Sequence, residues 1–243
     1  MASKNMKKVP IGWYVDSSFG SFAFGEPLPV IGDRQKALSN RAVQACPAIN
    51  ELENRLFEVR CPYNLHLEIE KSGDKYDLFV LDDKTRLDHD LIAKFVTLMP
   101  PKIWRKPDIP VIQISSPYIF VCDETCYMTQ MPPFLEQKHY QWPGILIAGR
   151  FDIKNWLRPL NWAFEWTDTT KPLRLRKNDV LYYLNFETNT PTSKIDLFRA
   201  KITPEILEFK KGAEGMPKFT SNTFKVMEVA AKRRPPKLLE RAD

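Results

Sequence analysis

The chain has 243 residues, of which 43% are hydrophobic and 12% aromatic, and a net charge of +6. That is enough apolar material for one full core, so a wholly disordered chain is excluded. No run approaches the ~20 apolar residues of a membrane span, and the charge excess is too mild to mark a strongly basic nucleic-acid domain.

Proline is abundant at 20 residues and glycine scarce at 9. Proline is excluded from central strands and helix interiors, so the chain reads as many short elements separated by rigid turns. Residues 1–10 are basic and polar and read as a flexible N-terminus. They lack the apolar h-region of a secretory signal. Cys46, Cys61, Cys122 and Cys126 are therefore expected as reduced thiols in a cytoplasmic setting.

Ile11–Val15, followed by Phe19, Phe22 and Phe24 around Gly20 and Gly25, predicts one or two strands and a turn. Asp33 is placed to cap a helix from Arg34 to Ala45, which Cys46-Pro47 would end. Leu56 and Val59 carry a strand-like pattern. Leu65, Leu67 and Ile69 then alternate with polar residues up to Glu70, Gly73 supplies a turn, and Tyr76, Leu78 and Val80 return as the second arm of a hairpin. Leu87 to Phe95 reads as a short helix capped at Asp88, and its last residues read equally as the start of a strand from Phe95 to Met99.

From Pro100 onward short strands are punctuated by proline: 110–115, 118–122, 127–131, 145–153, 159–166, 173–176 and 180–186. In the fifth of these, Leu160, Trp162, Phe164 and Trp166 share one face, the pattern of an inward-facing strand; Trp162 and Phe164 are expected buried and Glu165 exposed. The fold class predicted is mainly β, an antiparallel β-sandwich or jelly roll, over 11–190. Residues 191–243 form a C-terminal helical extension: Thr203-Pro204-Glu205 starts one helix, 221–232 forms a second, and Arg233-Arg-Pro-Pro236 leads into a loose tail.

Candidate chemistry is sparse. His66-Leu67-Glu68 has the H-x-E spacing of a strand that presents two ligands, with His139 or His89 as a second imidazole. On this reading the chain is a cupin or jelly-roll metal-dependent, oxygenase-like enzyme holding a single transition-metal ion. The plainer reading leaves His66 and Glu68 facing solvent, with no metal and no cofactor. Cys122 and Cys126 form one close pair where structural zinc sites use two, which favours free thiols. No G-x-S-x-G, glycine-rich phosphate loop or H-E-x-x-H occurs, so catalytic residues remain unassigned. Lys4, Lys7 and Lys8, the group Arg174, Arg176 and Lys177, and the group Lys232, Arg233, Arg234 and Lys237 are basic. With the aromatics they allow nucleic-acid binding, but solubilising charge is the favoured reading.

The connection after Tyr127 carries Met128, Met131, Pro132, Pro133, Phe134, Tyr140 and Trp142. Pro132-Pro133 makes it a loop, and loops at the end of a sandwich are where binding residues concentrate. Phe134, Tyr140 and Trp142 are the candidate binding residues, with Arg150 and Arg158 as polar neighbours. The alternative is that Phe134 and Trp142 fold back and plug the sandwich.

Trp142-Pro-Gly-Ile-Leu-Ile-Ala-Gly-Arg-Phe-Asp-Ile153, Trp156, Arg158-Pro-Leu-Asn-Trp162 and Lys177-Asn-Asp-Val180, preceded by Gly12-Trp13, resemble an uncharacterised bacterial and phage family. The resemblance spans 12–187, departs in the loops and tail, and implies a phage or bacterial setting without an activity to carry over. Together these readings favour a non-enzymatic protein for assembly or ligand binding, phage-encoded or virion-associated, with a protein partner or a homo-oligomer and no membrane.

Overall fold

The structure is a computed structural model that describes residues 7–16, 23–30, 45–81, 85, 87, 89–190, 192–213 and 223–242. Its strands are β1 (Lys8–Val15), β2 (Leu28–Pro29), β3 (Leu56–Arg60), β4 (Leu65–Ser72), β5 (Lys75–Val80), β6 (Val96–Leu98), β7 (Val111–Ile114), β8 (Tyr118–Val121), β9 (Cys126–Met131), β10 (Gly144–Leu146), β11 (Gly149–Asp152), β12 (Trp162–Trp166), β13 (Leu173–Leu175), β14 (Val180–Thr188) and β15 (Lys194–Arg199). The helices are α1 (Pro47–Glu53), α2 (His89–Phe95), α3 (Pro204–Ala213) and α4 (Thr223–Arg233). Among the described residues strand makes up 40% and helix 20%, so the fold is mainly β and sandwich-like. Among the described residues, no helix is long and apolar enough to cross a membrane.

The strands form four sheets, ordered β15-β1-β8, β10-β12-β7-β6, β11-β9-β14-β3-β2 and β13-β4-β5. Among the described residues all strand pairings are antiparallel except β1 with β15. The β4–β5 hairpin forms as its alternation dictates, with Gly73 in the left-handed region at φ 61°. One core joins the inward residues of all four sheets, including Ile11, Leu67, Met128, Trp162, Phe164 and Leu184. Trp162 and Phe164 are buried as expected, stacked 4.9 Å apart with planes only 7° from parallel. A smaller cluster of Tyr14, Ile119, Val121, Ile206, Leu238 and Leu239 seats α3 and the C-terminal residues on the outside of the β1 sheet.

Several expectations are corrected. Glu165 is buried rather than exposed, at 5% of its surface. β12 lies between β10 and β7, and Arg105, from the connection after β6, covers its outward side with a bidentate pair on both carboxylate oxygens. His66 is likewise buried, not solvent-facing. The His66 N–H donates to Thr85 Oγ1, and its carbonyl accepts from Leu81 N.

Cys46-Pro47 starts α1, because proline at the first helical position lacks only an N–H that has no partner there. The strand expected at 145–153 divides into β10 and β11, which belong to different sheets. Lys194–Arg199, not singled out in the sequence, forms β15 alongside β1. The tail is docked, with Leu238 and Leu239 buried and Ala200 bridged to Arg241. Phe19, Phe22, Asp88 and the helix expected from Arg34, up to residue 44, lie outside the described residues.

Candidate functional site

The connection between β9 and β10 is built on two aromatic anchors. After Met131 the Pro132-Pro133 pair ends the ladder, and Phe134 N–H turns back to the Pro132 carbonyl at 2.8 Å. Phe134 meets the ring of Tyr183 edge-on at 5.4 Å, capping a small cluster of Leu56, Val180, Tyr183 and Met131 on the outer side of the β9 sheet. A single 3-10 segment, Gln137–Gln141, then carries the chain to Trp142. Trp142 packs edge-on against Trp162 at 5.7 Å and Phe164 at 6.2 Å, within the main core.

Polar contacts brace the span between the anchors. Lys138 Nζ pairs with Asp179 at 2.7 Å. Tyr183 donates to Glu136 at 3.5 Å, and burial raises the Tyr183 hydroxyl's pKa, which keeps it a donor. His139 meets Tyr140 at a tilt and Trp142 edge-on, and burial lowers its pKa, favouring the neutral ring. Tyr140 stands out at 73% exposure. Its hydroxyl donates to the Phe134 carbonyl at 3.0 Å, which ties the ring to the turn. Leu135 beside it is also exposed.

Arg150 and Arg158 are held elsewhere. Arg150 lies on β11 with its guanidinium 3.7 Å above the Tyr127 ring, and both Nε and Nη2 donate to Glu187 Oε2. Arg158 sits 5.2 Å over Trp156, which packs on Phe151. Among the described residues, no hydrogen bond, ion pair or ring contact ties either arginine to Phe134, Tyr140 or Trp142. The candidates therefore resolve into one braced aromatic loop and two separate arginine–aromatic stacks.

His66 and Glu68 sit on β4 and His139 on the loop after β9. Among the described residues, no three His, Cys, Asp or Glu side chains gather as metal ligands would. The sequence reading missed Leu135, the Lys138–Asp179 and Glu136–Tyr183 braces, and the Arg105–Glu165 pair. Only Leu135 carried a local signal, an apolar residue directly after the Pro-Pro-Phe turn; the others join residues distant in sequence. The loop offers an immobilised aromatic face with a hydroxyl already engaged, suited to apolar or cation–π docking. No known protein-family model and no curated protein sequence matches the chain.

Proposed function

We propose that this is a non-enzymatic β-sandwich protein for assembly, which engages a protein partner, in the simplest case a second copy of itself, through the loop at 132–142. The carrying observation is Tyr140: a large ring, 73% exposed, fixed by its own hydrogen bond on a loop anchored at both ends. Rigid, amphipathic aromatic rings lose little entropy on binding and are typical interface anchors. Leu135 extends the exposed apolar surface. The absence of familiar nucleophile, phosphate-loop and metalloprotease motifs in the sequence agrees with a binding role. The pattern-level likeness to a phage and bacterial family favours a phage-encoded, virion-associated setting.

The test is sedimentation velocity across a concentration series, for wild type and for Tyr140→Ser and Leu135→Ser, with thermal melting alongside. Phe134 is an anchor, so its substitution would perturb the fold; Tyr140 and Leu135 project outward and are the clean probes. Self-association that weakens about tenfold or more in Tyr140→Ser, with an unchanged melt, supports the reading. Wild type that associates as strongly as both variants would remove the loop from the interface. Wild type that is monomeric throughout would rule out the second copy as partner.

A further inference from the structure

β5 is a six-residue edge strand that pairs, among the described residues, with β4 alone. The register fixes which of its backbone groups are used. The Leu81 N–H donates to the His66 carbonyl at 3.0 Å, one step beyond the Leu67–Val80 pair. Antiparallel pairs alternate between bonded and unbonded, so Lys75, Asp77 and Phe79 turn their N–H and C=O groups toward β4. Tyr76, Leu78 and Val80 turn theirs to the open side, and among the described residues no hydrogen bond reaches those groups. The other six-residue edge strand, β15, is met at its far end by the tail, where the Ala242 N–H donates to the Arg199 carbonyl at 3.0 Å. β5 has no such cover among the described residues, and its length makes it a template for a further strand.

The side chains specify what that strand should carry. Tyr76, Leu78 and Val80 are half-buried against the main core and offer an apolar row along the inner face. Trp104 meets Tyr76 edge-on at 5.5 Å, and its neighbour Ile103 is 51% exposed. On the outer face Phe79 is 45% exposed, opposite Glu68. Glu70 and Asp77 oppose each other directly there, and both are exposed. Like charges directly opposed across a ladder are destabilising, and neither carboxylate has an ion-pair partner among the described residues. With Glu68 they outweigh Lys75, the cation that shares this face of the hairpin. A second copy of β5 on the same edge would double the negative excess. A strand bearing cations would offset it.

We propose that the free edge of β5 receives an extended segment of a protein partner, added as an antiparallel strand, in which apolar residues alternate with lysine or arginine. Antiparallel addition continues the pattern of this sheet, whose strands all pair that way, and that ladder is the slightly more stable one per residue. Residues directly opposed in a ladder share a face. The partner's apolar residues therefore lie opposite Tyr76, Leu78 and Val80 and exchange backbone hydrogen bonds with them. Its cations lie opposite Asp77 and Phe79, within reach of the carboxylate and of the exposed ring. None of the residues of the loop at 132–142 takes part, so this site and the self-association proposed for that loop stand or fall separately.

The test uses the intact chain and a labelled, end-capped peptide of alternating lysine and valine that spans the length of β5. Binding is followed by fluorescence anisotropy. The expected result is saturable binding that weakens as salt is raised, with a glutamate–valine peptide of equal length binding at least about tenfold more weakly. In the antiparallel arrangement the valine N–H groups face β5 and the lysine N–H groups face solvent. N-methylation of the valines should therefore weaken binding by about tenfold or more, while N-methylation of the lysines should change it by less than about threefold. Asp77→Lys should weaken binding by about fivefold or more with an unchanged thermal melt.

Failure of the lysine–valine peptide to bind, or equal binding of the glutamate–valine peptide, overturns the partner chemistry. A greater loss from methylated lysines than from methylated valines overturns the antiparallel arrangement. Unchanged binding to Asp77→Lys removes the peptide from the β5 edge. The comparison of methylated peptides is made on wild type and does not depend on how the variant folds.

Discussion

Replacing Trp162 by alanine is the most direct trial of the core. The indole is fully buried, stacks flat on Phe164, meets Trp142 edge-on and donates Nε1–H to the Leu181 carbonyl at 3.3 Å. Truncating a buried tryptophan costs about 3–5 kcal/mol, covering lost transfer energy and the cavity left behind. The Leu181 carbonyl would lose a partner inside the core, which places the expected loss near the upper end, at about 5 kcal/mol. With a urea slope of ~3 kcal/mol/M for a chain of this size, the midpoint should fall by about 1.7 M. Trp162→Phe keeps a ring but not the donor, and should cost about 1–3 kcal/mol. A Trp142→Ala, Trp162→Ala double cycle should give a coupling of about 0.5–1.5 kcal/mol. A Trp162→Ala melt within about 0.3 M of wild type would refute the packing argument, since at that slope it corresponds to about 1 kcal/mol.

Three further outcomes follow from individual contacts. Arg105 holds the buried Glu165 carboxyl below the usual carboxylate range, so the pair stabilises the fold above that range and the benefit is lost as pH falls through the depressed value. Arg105→Gln should therefore lower Tm at pH 7, with the difference from wild type narrowing below about pH 4 as Glu165 is protonated; a gap independent of pH would contradict the pairing. Gly12→Ala would place a methyl 2.3 Å from Leu239 Cδ1 and 2.8 Å from Ala200 Cβ, and should cost about 1–3 kcal/mol in denaturant melts. Burial pushes the Cys61 thiol up to about 12, so in folded protein at pH 8 a thiol reagent should react with half-buried Cys46 well before Cys61, and denatured, unreduced protein should titrate four thiols.

Local pattern was a good guide wherever a residue's neighbours in sequence decide its environment. The β4–β5 hairpin, the aromatic face of β12, the Thr203-Pro204 helix start and the strand of β9 were all legible, because period-two alternation and proline placement act over a few residues. Glu165 and His66 misled because a polar residue alternating with apolar ones reads as solvent-facing, yet both are buried, Glu165 under Arg105 and His66 with its backbone N–H bonded to Thr85 Oγ1. β15 was invisible because its burial depends on β1 at the opposite end of the chain. For the loop, sequence chose Phe134, Tyr140 and Trp142 by residue type. What distinguishes anchor from exposed ring is contact with Tyr183, Trp162 and Phe164, which spacing does not encode.

The parallel register of Lys8 with Lys194 through Trp13 with Arg199 also sets an order of events during synthesis. β1 lies between β8 and β15, and it can pair with β8 as soon as that hairpin region has left the ribosome. Its other edge must wait until nearly the whole polypeptide is made. For most of translation the nascent domain therefore carries an open strand edge bearing Val9, Ile11 and Trp13, the kind of edge that recruits other chains. Closure by β15 and the following tail is a late, long-range step, so folding should be slow for a chain of this length. Truncations that remove residues from 194 onward should yield aggregated protein rather than a smaller folded domain.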